Sequence, residues 1–149
     1  MTAARGLFVY GSLCFDEVLT QLLGRVPAQT PWSLDGWRVA SLCDRPYPGL
    51  VAELARRAAG AVLTDLTADE WQVLDEYEGP QYERTQVGRL DGVSVDSYVW
   101  LEPGLVEPTD WDRDDFRRRL LPNYVAELYG VDQRSERAAP SRQNRSRMP

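Results

Sequence analysis

The apolar positions of this chain switch between two periods, and the switches mark its elements. Leu7, Phe8, Val9 and Tyr10 form an unbroken run ended by Gly11 and Ser12, which predicts a buried strand. Phe15, Val18, Leu19 and Leu22 then recur at helical spacing, and Gly24 follows as a stop signal. Trp32 to Leu42 alternates loosely and contains a strand. Pro46-Tyr47-Pro48-Gly49 is loop chemistry, and Ala61-Val62-Leu63 predicts a short strand. Tyr82 to Leu90 and Val93 to Leu101 are rich in strand formers, with Asp91-Gly92 between them as a hairpin turn. Trp111 to Leu121 and Asn123 to Leu128 read as helical, divided or kinked at Pro122. Strands outnumber helices and the hairpin is antiparallel, so the fold class is α+β rather than a doubly wound sheet.

The clearest helix runs from Thr67 to Tyr77 and is closed by Glu78. Thr67 and Glu70 have the spacing of a capping box, and Gly79 suits the left-handed position past a helix end. Turning ~100° per residue from Trp71 places Leu74 near ~300° and Glu78 near ~340°. Glu78 thus projects between two apolar residues, Asp75 lies toward the edge of that face, and Glu76 points away. A helix ending before residue 78 would leave Glu78 solvated. If the carboxyl points inward, three effects raise its pKa: loss of water, the like charges of Asp75 and Glu76, and the negative end of the helix dipole.

Composition narrows the chemistry. The chain has 149 residues, 43% of them hydrophobic, enough for one domain with a core. With no His and no Lys, it cannot build a Ser–His–acid triad, a His-based zinc site, a Schiff base or the usual P-loop. Two cysteines, Cys14 and Cys43, make neither a disulfide framework nor a four-Cys metal site, and read as buried free thiols suited to a reducing cytosol. The N-terminus lacks a signal-peptide pattern and no run reaches the length of a membrane span, so the expected location is cytoplasmic. The net charge is -6, unevenly spread. Arg134, Arg137, Arg142, Arg145 and Arg147 stand against Glu136 alone in residues 134–149, which read as a disordered Arg-rich tail following a domain of residues 1–133. The acidic body argues against nucleic acid as a partner, and nothing in the pattern calls for a membrane.

The Tyr10-Gly11-Ser12-Leu13 segment passes from the first strand into the first helix. Its amides can converge on an anion such as a carboxylate, or Ser12 can serve as an ordinary helix cap. Taken together, Phe8-Val9-Tyr10-Gly11-Ser12-Leu13, Leu74-Asp75-Glu76-Tyr77-Glu78-Gly79 and Tyr82-Glu83-Arg84 resemble the γ-glutamylcyclotransferase-like superfamily, in its branch of γ-glutamylamine cyclotransferases and AIG2-like proteins. The resemblance runs from about Leu7 to Trp111 and includes the Tyr47-Pro48-Gly49 loop. It implies a small mixed β-barrel with flanking helices. It also implies an intramolecular reaction in which the α-amine of a γ-glutamyl group attacks its own γ-carbonyl, releasing an amine or amino acid and 5-oxoproline. By the same resemblance Glu78 is the general acid/base, Tyr10, Gly11, Ser12 and Leu13 hold the γ-glutamyl moiety, and Tyr82 is an aromatic of the pocket. No metal or cofactor is required, and the partner is a small γ-glutamyl substrate. Arg84 is expected to pair with acids near the barrel rim.

Two other readings stay open on sequence. One is a non-catalytic small-molecule binding module on the same fold, since fold does not carry activity by itself. The other is a hydrolase with an oxygen-ligated metal on Asp75, Glu76 and Glu78, which the ~100° divergence of neighbouring helical residues disfavours.

Overall fold

The computed structural model describes residues 5–128. Residues 134–149, expected as a separate tail, lie outside the described residues. Six strands form one mixed sheet: β1 (Arg5–Val9), β2 (Gln29–Leu42), β3 (Gly49–Leu63), β4 (Tyr82–Leu90), β5 (Val93–Trp100) and β6 (Val106–Asp110). Their order is β4-β5-β1-β3-β2-β6, with β1 and β5 parallel and β4 antiparallel to β5. A further pairing of β3 with β5 at Leu50 and Val99 curls the sheet into a half-barrel. The helices α1 (Asp16–Leu23) and α2 (Ala68–Glu78) flank it, followed by a C-terminal helical segment. No helix among the described residues is long and apolar enough to cross a membrane.

The apolar run of β1 is explained by its central place. Leu7 and Val9 join one core cluster with α1, α2 and Phe116, while Phe8 and Tyr10 join a second with Leu34, Leu50 and Val95. Alternate side chains of a strand face opposite ways, so a strand covered on both faces is apolar throughout.

β3 is longer than the three residues the pattern suggests. Its first part, Val51 to Ala59, is rich in Ala, Leu, Glu and Arg, which favour helix in isolation. Pairing with β2 along most of its length, and with β1 at its end, overrides that preference. β6 was not legible in the sequence. It is a short edge strand containing Pro108, tolerated there because an edge residue needs no second ladder bond. The buried Arg38 holds it, donating to the carbonyls of Glu107 (3.0 Å) and Thr109 (3.2 Å) and to Asp110 (3.1 Å). The Asp91-Gly92 turn is formed as expected, with φ of 51° and 81°.

The C-terminal helical segment starts at Arg113 and continues to residue 128 without a break. Instead of dividing it, Pro122 is preceded by a wide π turn over Phe116–Leu120, in which the Leu121 N–H donates to the Phe116 carbonyl. Pro lacks an N–H and its ring crowds the carbonyl four residues back, which the wider turn relieves. Stacking of Phe116 on Phe15, with ring centroids 5.5 Å apart, docks this segment beside α1. Cys14 and Cys43 are free, but half-buried rather than buried: Cys14 packs at the rim of the first core cluster, and Cys43 lies in the turn after β2.

Candidate functional site

Helix α2 aims the site carboxylate. The Thr67–Glu70 capping box is present: the Glu70 N–H donates to Thr67 Oγ1 (3.1 Å) and the Thr67 N–H to Glu70 Oε1 (3.0 Å). Arg25 clamps Glu70 with two bonds of 2.7 Å, which holds that carboxyl down at a pKa of about 2. Leu74 is fully buried, fixing the rotation of the helix. Glu78 is its last residue, and Gly79 ends it with φ 82°.

The same cleft is lined by Glu78 and by the whole segment Tyr10, Gly11, Ser12 and Leu13, together with Tyr82. All six residues singled out from the sequence therefore meet in one place. Ser12–Cys14 forms a single 3-10 turn, with the Cys14 N–H donating to the Gly11 carbonyl (2.9 Å). The Ser12 and Leu13 N–H groups open this turn and have no carbonyl within it to bond. Ser12 does not cap a helix; its hydroxyl shares a 2.8 Å hydrogen bond with Tyr77. Gly11 permits the close approach of the Pro48 loop: a Cβ there would stand 2.8 Å from Pro48 Cγ. The Tyr82 hydroxyl donates to the Pro48 carbonyl (2.7 Å), tying that loop to β4.

Glu78 has no hydrogen-bond or ion-pair partner among the described residues, and burial pushes its pKa from 4.5 up to about 8. Its surface is half-buried because it borders a cleft whose walls are largely aromatic. Of the three causes weighed from the sequence, burial is the one the structure carries. Asp75 is turned away and engaged: it accepts from the Tyr98 hydroxyl (2.7 Å) and pairs with Arg84 (3.4 Å). Arg84 also lies over the Trp71 ring, 4.5 Å from its centroid, so its place is structural. Glu76 is exposed, so the acids of α2 diverge.

What the sequence did not reveal is the tyrosine wall. Tyr10, Tyr47, Tyr77, Tyr82, Tyr98 and Tyr124 all line the cleft. Burial raises the pKa of Tyr10, Tyr77, Tyr82, Tyr98 and Tyr124, and the Glu78 charge adds to it in each, so these remain neutral phenols. The hydroxyls of Tyr10 and Tyr98 are both engaged, that of Tyr10 donating to the Tyr98 carbonyl (2.7 Å) and that of Tyr98 to Asp75 Oδ1 (2.7 Å). Ser12, Tyr77 and Tyr124 form a chain of three hydroxyls joining the turn, α2 and the C-terminal helix. Three hydroxyls carry three protons for two links, so one proton is left to offer elsewhere. Glu127 and Leu128 complete the wall from that helix. Only the number of tyrosines hinted at it.

Chemically, the cleft pairs one carboxyl of raised pKa with a turn of open amides, between aromatic walls that no Arg among the described residues enters. Comparison with known proteins bears on the family and the fold. Residues 7–115 match the family described as Gamma-glutamyl cyclotransferase, AIG2-like. AIG2-like protein C of Arabidopsis thaliana is 34% identical over 131 residues, covering 83% of this chain and 75% of that protein. A solution structure of another Arabidopsis thaliana protein superposes with a TM-score of 0.63 at 26% identity, over 95% of both chains. A solved protein named gamma-glutamyl cyclotransferase has the same fold, with a TM-score of 0.51 at 15% identity, over 83% of this chain and 85% of its own.

Proposed function

Since the chain belongs to the AIG2-like γ-glutamyl cyclotransferase family, we propose that it cyclises a γ-glutamyl amide, releasing an amine or amino acid and 5-oxoproline. The observation that carries this reading is the unpartnered Glu78 carboxyl in one cleft with the Tyr10–Leu13 turn. The open amides of Ser12 and Leu13 suit the substrate α-carboxylate, and the rings of Tyr10 and Tyr82 confine its short carbon chain.

An α-amine is largely protonated at neutral pH and is no nucleophile until it gives up a proton. Glu78 in its carboxylate form takes that proton, and a pKa of about 8 makes it a far better acceptor than an ordinary Glu. The freed nitrogen attacks the γ-carbonyl carbon, forming the C–N bond of the five-membered ring. The ring nitrogen still carries two hydrogens after the attack. As the original amide C–N bond breaks, Glu78 returns its proton to the leaving nitrogen, then takes the second proton from the ring nitrogen and passes it to the departing amine, which leaves as an ammonium. The two reacting groups share one molecule, so the cleft accelerates the step by holding the folded rotamer. The spare proton of the Ser12–Tyr77–Tyr124 chain is available to the oxyanion formed at the carbonyl. The reaction is redox-neutral and is balanced by two protons passed in turn from the attacking to the leaving nitrogen through Glu78, so it requires no cofactor.

The test is to incubate the protein with a set of γ-glutamyl amides and identify the acyl product by mass spectrometry. Stoichiometric 5-oxoproline and free amine are expected. Glutamate in place of 5-oxoproline would mean water is the nucleophile and would overturn the reading.

A further inference from the structure

The family match stops at residue 115, yet one wall of the cleft comes from beyond it. Tyr124, Glu127 and Leu128 all lie on the C-terminal helix, which Phe116 docks against Phe15. Tyr124 is bound into the hydroxyl chain with Tyr77 and faces inward. Glu127, one helical turn further on, is exposed and has no ion-pair partner among the described residues. Arginines earlier in the same described helical segment are engaged elsewhere: Arg119 pairs with Asp115 at 2.6 Å, Arg118 is 4.0 Å from the same carboxylate, and Arg117 lies over the Phe15 ring.

Among the described residues no Arg lines the cleft, and its ionisable carboxyls are Glu78, half-buried, and Glu127, exposed. The γ-glutamyl end of a substrate is taken by the turn and Glu78. On that reading the exposed side of the cleft, where Glu127 stands beside the tyrosine wall, is left for the leaving portion. A cation in that portion meets a carboxylate and aromatic faces, both of which attract it. A carboxylate in the same place meets like charge and, among the described residues, finds no guanidinium to bind.

We propose that Glu127 is a specificity-determining residue, selecting γ-glutamyl amides whose leaving amine carries a second, cationic group over those whose leaving amine carries a carboxylate. This rests on the cyclisation reading above. It also implies that the reaction supplying the substrate joins glutamate, through its γ-carboxyl, to one amine of a diamine or polyamine.

The test uses matched γ-glutamyl amides of equal chain length, one ending in an ammonium and one in a carboxylate. kcat/KM for 5-oxoproline release is measured for both on the same preparation of the full chain, so any unfolded fraction cancels in the ratio. The ammonium substrate should be favoured by about five-fold or more at low salt, with the ratio shrinking as salt screens it. Glu127→Gln should lower the ratio by about three-fold, and Glu127→Arg should invert it. A wild-type ratio at or below one, or a ratio that neither variant moves, overturns the proposal while leaving cyclisation intact. Absence of 5-oxoproline from both amides overturns the cyclisation reading and this inference with it.

Discussion

Replacing Glu78 with Gln should stabilise the folded protein, and by an amount that grows with pH. Glutamine keeps the shape of the protonated side chain and cannot ionise. In the wild type, burial raises the folded-state pKa of Glu78 from 4.5 to about 8. The folded state therefore holds this proton more tightly than the unfolded chain does. Below pH 4.5 both states are protonated and Glu78 makes no pH-dependent difference. As pH rises from 4.5 toward 8 the unfolded chain ionises first, and wild-type stability falls. Each pKa unit is worth about 1.36 kcal/mol, so the full shift bounds the loss at about 5 kcal/mol above pH 8, and about 3 kcal/mol at pH 7. Glu78 borders an open cleft, and water entering it reduces the penalty; a working value is about 2 kcal/mol. Urea unfolding of wild type and Glu78→Gln, compared at matched pH, isolates this group because all other titrations cancel in the difference. The curves should nearly coincide at about pH 4.5 and separate by about 2 kcal/mol near pH 8, with unchanged m-values. A gap that stays constant with pH, or a variant less stable at pH 8, would show that the carboxyl is solvated and refute the reasoning.

Three further outcomes follow from the geometry. Gly11→Ala puts a Cβ 2.8 Å from Pro48 Cγ and 2.9 Å from its Cδ, so the loop must shift and the Tyr82–Pro48 bond with it. KM for a γ-glutamyl amide should rise by about ten-fold, with a stability loss of about 1–2 kcal/mol by urea titration. Thr67→Ala removes the cap of α2 and should lower stability by about 1 kcal/mol, read as a shift of the urea midpoint at constant m. Tyr124→Phe breaks the hydroxyl chain at its C-terminal end; kcat should fall by about ten-fold while the stability loss stays near 1 kcal/mol.

The features that were legible in the sequence are local ones. The capping box, Gly79 and the apolar stripe through Trp71 and Leu74 are contained within a dozen residues, and together they set the direction of Glu78. The Asp91-Gly92 turn is likewise local, since two positive φ angles demand that dipeptide. β3 was hidden because its Ala- and Arg-rich first half owes its strand conformation to partners distant in the chain. The Tyr124 and Glu127 wall was hidden for the same kind of reason. Its place depends on where the C-terminal helix docks, which Phe15 and Phe116 decide across a hundred residues of chain. The sequence also overcounted the causes of the Glu78 shift. Spacing alone puts Asp75 nearby, but only the fold reveals Tyr98 and Arg84 holding its carboxylate.

The central claim is that Glu78 moves the proton during cyclisation, and the most direct test is the pH dependence of kcat/KM for 5-oxoproline release, wild type against Glu78→Gln. In wild type kcat/KM should climb with pH at a slope near one up to about pH 8, following the carboxylate form of a group with that pKa. Glu78→Gln, folded and at least as stable, should be slower by about 100-fold or more, with that rising limb gone. A variant that retains activity within about ten-fold of wild type, or that keeps the same rising limb, would contradict the role assigned to Glu78.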